Sequence, residues 1–586
     1  MFKGIVFFIK NGWKYDKKYI LWRVLYQLIN SMIPIMATIM PKLIIDELMG
    51  DKNFQKLAFY VLLLIGYTAI ASAISEYFSW DGFTRRSRVA SEFDSDLHRH
   101  LAEADYNMLE SPEYLDMQEK ARKFIYCDWH GFGYMLDCAM NAIGQIFTLV
   151  GISAIILTID IRMLVLFLIL VIFGSMIEKK AKRNATKLSQ SISKDNRGWM
   201  YYASLFGDQE YAKEIRMNAI GDWLLNRERE FFVRINDNLK KQNDGFIRSG
   251  LFKSFFTFIQ QGAAYVYLIY CVTNGKITIG SFAMYTAAVT TFSSALRAVL
   301  DSVIEIKTYD LYYDKLDEYL NLPCILRSGN RSISKTREYN IEFCDVSFKY
   351  PGSQKYALEH INIVIPFGQK LSIVGENGAG KTTFIKLLTR MYQPTDGQIL
   401  LNGIDICEYD YDQYMSIIAS VFQDYKLFSF SLIDNITLGK KVEKEKAEEI
   451  LRYVGFGDKL NKLPKGLDSS IYKNFDEEGF EPSGGEGQKI ALARALYKDA
   501  PIMVLDEPTA AMDPKAEYEL YHNFNDMVIG KTAIYISHRL SSSKFCDVIA
   551  VFENGHISEY GTHDELMNIV EGKYRSLFMM QSQFYV

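Results

Sequence analysis

The chain has 586 residues, enough for more than one domain. Its 66 basic and 70 acidic side chains give a net charge of −4, which gives no reason to expect a nucleic-acid-binding surface. Seven cysteines are scattered without a C-x-x-C pair, so the sequence predicts neither a disulfide framework nor a cysteine metal site. The mean hydropathy of −0.04 hides an uneven distribution, because the apolar residues crowd the first half.

Six segments of that half are long and apolar enough to cross a bilayer, which takes roughly 20 residues each. They are Ile20–Leu43, Leu57–Phe78, Leu136–Leu157, Met163–Ile177, Phe252–Val272 and Ile279–Leu300. The sequence therefore predicts a membrane all-α bundle of six transmembrane helices within residues 1–326. The alternative, six buried helices of a soluble core, is weak because soluble cores seldom need so many such stretches in a row.

Basic residues indicate which side of the membrane the loops face. They precede the first segment (Lys3, Lys10, Lys14, Lys17, Lys18) and follow the second (Arg85, Arg86, Arg88) and the fourth (Lys179, Lys180, Lys182, Arg183, Lys187). The positive-inside rule then puts the N-terminus and both long loops in the cytoplasm. Six crossings return the second half of the chain to the same side. We expect a multi-pass protein of the cytoplasmic (cell) membrane.

The composition changes near residue 327. Residues 327–336 are polar and are predicted to be a linker. From 337 to 586, short β-like runs alternate with helical stretches, which is typical of an α/β domain.

A phosphate-binding loop stands out in this second domain. The stretch Gly375, Glu376, Asn377, Gly378, Ala379, Gly380, Lys381, Thr382 and Thr383 fits G-x-x-x-x-G-K-[ST] between a strand-like and a helix-like run. Its glycines let backbone N–H groups face phosphate oxygens, Lys381 would reach the β- and γ-phosphates, and Thr382 would hold Mg²⁺. The loop occurs in many unrelated proteins, so by itself it predicts a nucleotide and no particular function.

Further short motifs flank this loop in a fixed order. They are Phe348–Pro351 before it, and Val421–Asp424, Pro482–Gln488, Ile502–Pro508, Ala510–Asp513 and Ile536–Arg539 after it. In this order and spacing, residues 337–586 resemble the nucleotide-binding domain of ATP-binding cassette (ABC) transporters. The resemblance implies an α/β P-loop ATPase domain (an ABC cassette), ATP and Mg²⁺ as cofactors, and ATP hydrolysis coupled to transport.

The resemblance also implies roles for single residues around the γ-phosphate. Asp506 would bind Mg²⁺, and Glu507 would polarise the attacking water as general base. Gln423 would sense Mg²⁺ and the water, so that it counts among both the catalytic and the metal residues. His538 would contact the γ-phosphate and position the water.

Other positions match parts of the family that hold the nucleotide from further away. Tyr350 corresponds to the aromatic residue that stacks on adenine. Asp513 corresponds to the aspartate that contacts the opposite domain. The signature residues Ser483, Gly484, Gly485 and Glu486 correspond to the segment that meets the γ-phosphate of a partner.

The signature departs from the usual L-S-G-G-Q, because Pro482 replaces the leucine and Glu486 replaces the glutamine. Ser483 and the two glycines can still offer a hydroxyl and N–H groups to a phosphate. Ser483 and Glu486 also fit a capping box, in which Glu486 would serve its own helix. Alternatively, several carboxylates here would lower nucleotide affinity, and the sequence leaves both possibilities open.

One chain carries one phosphate loop and one signature, so the resemblance implies a dimer. A homodimer is the simpler expectation, and a heterodimer with a sister chain is the alternative. Membrane helices fused ahead of one cassette resemble an exporter-type half-transporter. In such proteins the long loops carry short coupling helices, which we predict near Pro112–Asp116 and Tyr211–Arg216.

The residues around these two loop positions resemble bacterial exporters of peptides and bacteriocins, so we expect a peptide as the exported substrate. The membrane part begins almost at once, so we expect no N-terminal peptidase domain. Multidrug or lipid export is the alternative, and an ATP-gated channel or regulator is a further one, disfavoured because Glu507 and His538 are present.

Overall fold

A computed structural model describes the chain except for residues 1, 128–129, 192, 323–324, 335, 337, 509–527, 538–539, 541 and 583–586. The chain divides into two compact units. The membrane unit comprises Met1–Ala102 and Leu115–Leu322, and the cassette unit comprises Glu103–Tyr114 and Pro323–Val586.

Helices make up the first part of the chain. They are α1 (Lys3–Tyr15), α2 (Lys17–Met49), α3 (Phe54–Glu103), α4 (Tyr106–Leu109), α5 (Pro112–Tyr126), α6 (Tyr134–Leu157), α7 (Ile161–Ser191), α8 (Ser193–Gly207), α9 (Gln209–Met217), α10 (Gly221–Thr273) and α11 (Ile279–Leu320). Among the described residues, α2, α3, α6, α10 and α11 are long and apolar enough to cross a membrane, and α7 adds a shorter apolar stretch over Ile161–Gly174. Five of the six predicted segments thus coincide with helices that can cross a membrane, and the fourth, Met163–Ile177, overlaps the shorter apolar stretch of α7.

Polar side chains bond one membrane helix to another. Asn30 of α2 donates a 2.8 Å hydrogen bond to the Ser75 hydroxyl of α3, and the buried Gln260 of α10 donates to the Ser293 hydroxyl of α11. An unpaired polar group is costly in hydrocarbon, so such pairs favour one register of the helices over others.

The long loops contain short helices near the two predicted positions. Tyr211–Arg216 lies within α9, as predicted, and the Asp208 side chain caps this helix by accepting the N–H of Glu210. Pro112–Asp116 is helical as well, as the start of the longer α5, a position where the missing proline N–H costs nothing, and the four-residue α4 precedes it. The coupling role of both positions stays a prediction.

The cassette unit alternates strands and helices, as predicted for the second domain. Its strands are β1 (Ile341–Phe348), β2 (Leu358–Ile365), β3 (Lys370–Gly375), β4 (Asp396–Leu401), β5 (Ile404–Asp405), β6 (Ile418–Val421), β7 (Ile502–Asp506), β8 (Thr532–Ile536), β9 (Val548–Glu553) and β10 (His556–Gly561). Its helices, after α4, are α12 (Lys381–Leu388), α13 (Tyr411–Ser416), α14 (Leu432–Thr437), α15 (Lys444–Tyr453), α16 (Gly457–Leu460), α17 (Gly484–Lys498), α18 (His563–Met567) and α19 (Lys573–Ser582).

The strands form two sheets. A six-stranded sheet has the order β10-β9-β3-β8-β7-β6, and its pairs β3–β9, β3–β8, β8–β7 and β7–β6 are parallel. A four-stranded antiparallel sheet has the order β2-β1-β4-β5. The carboxyl ends of β3, β8, β7 and β6 therefore meet at one edge, where ligands bind in open α/β sheets.

One apolar core joins the two sheets and fixes α12. The ring of Phe343 on β1 stacks on that of Phe384 on α12 with a centroid distance of 4.2 Å, and both side chains are buried. Because α12 follows the phosphate loop directly, this packing sets the direction in which the helix N-terminus points.

Arg390 connects the segment around Leu326 to the rest of the cassette unit. Its side chain is 1% exposed and donates to the Tyr409 carbonyl at 2.9 Å and to the Leu326 carbonyl. The guanidinium also lies 5.4 Å from the ring centroid of Tyr414. A buried cation with these contacts is costly to remove, because its acceptors are left unpaired.

We expect Arg390→Met to lower the free energy of unfolding of the cassette by about 2–4 kcal/mol, because two carbonyls lose their donor. The control is Arg331→Met, which removes an exposed ion pair with Glu408 at 3.1 Å and should cost under about 1 kcal/mol. Thermal unfolding of the purified variants measures both, and equal shifts would contradict the structural role of Arg390.

Candidate functional site

The predicted catalytic residues follow neighbouring parallel strands. Gln423 comes just after β6, Asp506 ends β7, and Glu507 follows it. The Gln423 amide donates to the Glu507 carboxylate, Nε2 to Oε2, at 3.1 Å. The sheet therefore brings together side chains that are 84 residues apart in the sequence.

The phosphate loop has the backbone conformation that its glycines allow. Gly378 and Gly380 have φ angles of 81° and 103°, in the left-handed region. A Cβ on Gly380 would lie 2.6 Å from the Leu358 side chain and 2.8 Å from the Ala357 carbonyl oxygen. No other residue fits this position without moving the loop. Of the remaining predicted loop residues, Asn377 is exposed and Ala379 is buried.

The Lys381 side chain folds back onto the phosphate loop that precedes it. Its ammonium donates to the carbonyl oxygens of Gly375 at 2.8 Å and Glu376 at 2.9 Å, and the residue is 6% exposed. Burial lowers the pKa of Lys381, and the carboxylates of Glu507 and Asp506 oppose this shift. A cation held this way can exchange two carbonyl contacts for phosphate oxygens.

Asp506 is a buried carboxylate at the centre of the predicted metal site. It is 2% exposed, and neither carboxylate oxygen has a hydrogen bond of ordinary geometry within the described residues. Burial raises its pKa to about 6, and the neighbouring Thr382 hydroxyl and Lys381 ammonium oppose this only in part. A buried carboxylate beside a hydroxyl is the oxygen donor set that Mg²⁺ prefers, so the residues fit the predicted metal.

Tyr350 lies beside the helix that follows the loop. Its hydroxyl is 3.0 Å from the Thr383 hydroxyl, and its ring makes edge contacts with Phe348 and Tyr392 at 5.0 and 5.4 Å between centroids. The ammonium of Lys386 is 5.6 Å from its centroid. The ring is thus fixed beside α12, and its contact with adenine stays a prediction.

The signature opens helix α17. Ser483 is the N-cap, its hydroxyl accepts the Glu486 N–H, and the Glu486 carboxylate accepts the Ser483 N–H at 2.8 Å. Gly484 and Gly485 form the first turn. The capping box predicted from the sequence is confirmed, so Glu486 serves its own helix.

Several residues of the site carry no sequence pattern that would have identified them. The Tyr425 hydroxyl donates to the Gly484 carbonyl at 2.9 Å and links the segment after Gln423 to the signature. Lys459 forms an ion pair with Glu486. Lys573 pairs with Glu376 of the phosphate loop at 2.8 Å. Each contact joins distant parts of the chain, so only the folded structure shows it.

A cavity of about 600 Å³ in the cassette unit is lined by the three predicted metal residues. Thr382, Gln423 and Asp506 line it, together with Lys386 and Arg494. The predicted His538 and Asp513 lie outside the described residues, so their roles stay predictions.

Comparison with known proteins agrees with this arrangement. The sequence model of the family described as ABC transporter matches residues 358–510, which include the phosphate loop, the signature and the carboxylates after β7. Residues 358–510 thus contain the domain that this family model describes. The match confirms the predicted cassette.

Three relatives are similar over more than half of this chain. The subtilin transport ATP-binding protein SpaT of Bacillus subtilis is 34% identical over 384 residues, 64% of this chain and 61% of that protein. The ATP-dependent lipid A-core flippase of Burkholderia orbicola is 33% identical over 315 residues, 53% and 51%. The mitochondrial iron-sulfur clusters transporter ATM1 of Candida glabrata is 33% identical over 374 residues, 61% and 50%. The matches thus span only half to three fifths of these proteins.

The fold as a whole is that of an ABC exporter. A bacterial Atm1-family ABC exporter, solved with ATP bound, superposes with a TM-score of 0.81 over 97% of this chain and 98% of its own, at 20% identity. Membrane and nucleotide-binding domains are fused in one chain, as predicted, and the ABC transporter is a multi-pass membrane protein.

We expect Asp506→Asn to raise the stability of the nucleotide-free protein at pH 7.5, by on the order of 1–3 kcal/mol, because it removes a buried charge. The folded-state pKa of about 6 lies above the unfolded value. The destabilisation caused by the buried charge is therefore complete well above pH 6 and fades as the pH falls toward 4, below which both states are protonated. Thermal unfolding at several pH values measures the difference.

The exposed Glu448→Gln on α15 is the matched control and should change stability little at any pH. A stabilisation by Asp506→Asn that does not shrink with falling pH would contradict burial of the charge as its cause.

Proposed function

We propose that this ABC transporter is an ATP-driven exporter of the cytoplasmic membrane, with its N-terminus and cassette on the cytoplasmic side. The observation that carries the proposal is the Gln423–Glu507 hydrogen bond at the edge of the sheet, next to the buried Lys381. A protein that used ATP only as a ligand would have no need for a held carboxylate at this point.

In this proposal, Lys381 binds the β- and γ-phosphates, and Glu507 accepts a proton from the water that attacks the γ-phosphorus. The bond between that phosphorus and the bridging oxygen breaks, which leaves ADP and phosphate. Gln423 orients Glu507. The backbone holds Glu507 at a φ of 51°, in the left-handed region, with its N–H bonded to the Ile536 carbonyl at 3.0 Å. Such a constrained conformation at the end of a buried strand fixes where the carboxylate points.

Asp506, Thr382 and Gln423 would hold Mg²⁺, which when bound neutralises charge on the phosphate oxygens. The burial of the Asp506 carboxylate beside the Thr382 hydroxyl supports this assignment. His538 and Asp513 keep their predicted roles at the γ-phosphate and at the opposite cassette.

We further propose a dimer, because the signature of one cassette would close on the phosphate loop of another. Ser483 would offer its hydroxyl, and the first turn of α17 its N–H groups, to the γ-phosphate bound by the partner. One chain supplies a phosphate loop for one site and a signature for the other, so two copies of this chain would form two sites, and a sister chain is the alternative.

We expect Glu507→Gln to reduce ATP turnover by at least about a hundredfold, because it removes the general base and leaves the shape of the site. The assay uses the purified full chain in lipid nanodiscs, with the isosteric but remote Glu448→Gln as control. Wild-type protein that binds ATP and does not hydrolyse it would contradict the proposal of a self-sufficient homodimer. Turnover that survives in Glu507→Gln would contradict the role of Glu507.

The proposed cargo is a peptide of the bacteriocin or modified-peptide type. The similarity to the subtilin transport protein supports it, and similarity to lipid A-core flippases supports lipid export as the second candidate. Multidrug export remains an alternative of the same mechanism.

We expect a cationic bacteriocin-type precursor peptide to change the ATPase rate of the nanodisc preparation at least twofold, because cargo binding shifts the balance of conformations. Scrambled peptide of equal charge is the control. A change caused by added lipid and not by any peptide would favour the flippase alternative.

A further inference from the structure

The acidic signature residue has a cationic partner from another helix. One oxygen of Glu486, Oε2, accepts the Ser483 N–H, while the other, Oε1, lies 3.0 Å from the ammonium of Lys459 on α16. Lys459 also lies 5.7 Å from the ring centroid of Phe480. Both charged side chains are about one third exposed or less, at 34% and 26%, so water screens their attraction only in part.

This ion pair lies at the N-terminus of α17, where a phosphate would approach in the proposed dimer. A carboxylate in the first turn of α17 suits the helix dipole, but it repels any phosphate that approaches the same N-terminus. Burial raises the pKa of Glu486, yet the bonds to Ser483 and the Lys459 ammonium outweigh it and hold the pKa below its ordinary value. Glu486 is therefore charged at neutral pH, and its charge needs a counter-ion.

The neighbouring acidic residues have a different partner. Lys465 lies 3.0 Å from Asp476 and 2.9 Å from Glu478, which are both in the loop before the signature. Lys459 is thus the cation that the structure gives to Glu486.

The capping box holds the signature hydroxyl at the start of α17. The Ser483 oxygen accepts the Glu486 N–H at 3.4 Å, and the Glu486 carboxylate in turn accepts the Ser483 N–H at 2.8 Å. Each residue of this pair therefore helps to hold the other.

We propose that Lys459 is a positioning residue for ATP binding, which neutralises Glu486 and keeps it in the capping box so that an acidic signature can meet the γ-phosphate of the partner cassette. This inference rests on the proposed function, since it needs ATP between two cassettes. In this proposal Lys459 and Glu486 act together, because removal of the Lys459 ammonium weakens ATP binding only while the Glu486 carboxylate is present.

The test is a cycle of variants in the full-length protein in nanodiscs. Lys459→Met should raise the KM for ATP about tenfold or more and change kcat much less, because it leaves a bare carboxylate beside the phosphate. Glu486→Gln should lower the KM or leave it unchanged. In the double variant the KM should return to within about twofold of Glu486→Gln, and Lys459→Arg should remain close to wild type.

A control and a second readout separate this role from a structural one. Lys444→Met breaks a comparable ion pair, with Asp468 at 2.8 Å, and should leave the KM unchanged. In a Glu507→Gln background, equilibrium binding of a fluorescent ATP analogue repeats the cycle without turnover and should show the same pattern in the dissociation constant.

An unchanged KM in Lys459→Met, or an equal rise in the double variant, would overturn the proposal, because charge compensation then plays no part. A raised KM in Lys459→Arg, accompanied by a large fall in its melting temperature, would also overturn it, in favour of a packing role. If wild-type protein binds ATP without hydrolysing it, the proposed function fails, while the binding cycle still decides whether Lys459 compensates Glu486.

Discussion

The burial of charged side chains at the carboxyl edge of one parallel sheet is the constraint on which the cassette depends. Asp506 and Lys381 are almost fully buried, and each is unfavourable alone because the interior disfavours the charged form. Their opposite charges, with Glu507 beside them, offset part of that cost. A ligand that brings phosphate and a divalent cation would offset the remainder of this cost. The fully buried strand β7 and the buried middle of β3 keep the groups from moving apart.

The sequence predicted the parts of this arrangement whose physics is local. The phosphate loop is defined by glycines that tolerate left-handed backbone angles and by a lysine at fixed spacing, so its conformation follows from neighbouring residues. The capping box of Ser483 and Glu486 is equally local. The apolar membrane segments were found because a helix in lipid must be apolar over its whole length.

What the sequence could not show are contacts between residues far apart in the chain. In the sequence, nothing distinguishes Arg390 from the other basic residues. Only the fold shows that it is buried and bonded to the carbonyls of Leu326 and Tyr409. Tyr425 follows a recognisable motif, but its bond to Gly484 depends on where α17 packs. Lys459 and Glu486 are separated by the acidic loop, and their pairing depends on how α16 and α17 are placed. Such contacts carry no spacing rule, because tertiary packing and not chain geometry sets the distance.

The departure of the signature from the family pattern can be understood in the same terms. A glutamine in the first turn of α17 would cap Ser483 without charge, whereas Glu486 caps it more strongly and adds a negative charge at an anion-binding end. The two effects act at different ranges, since the cap is a contact interaction and the repulsion extends over several ångströms. A cation on the far side of the carboxylate can cancel the second without disturbing the first. The Lys459 ammonium contacts Oε1 of Glu486, the oxygen that the capping box does not use. This placement preserves the helix start and leaves the approach of a phosphate open.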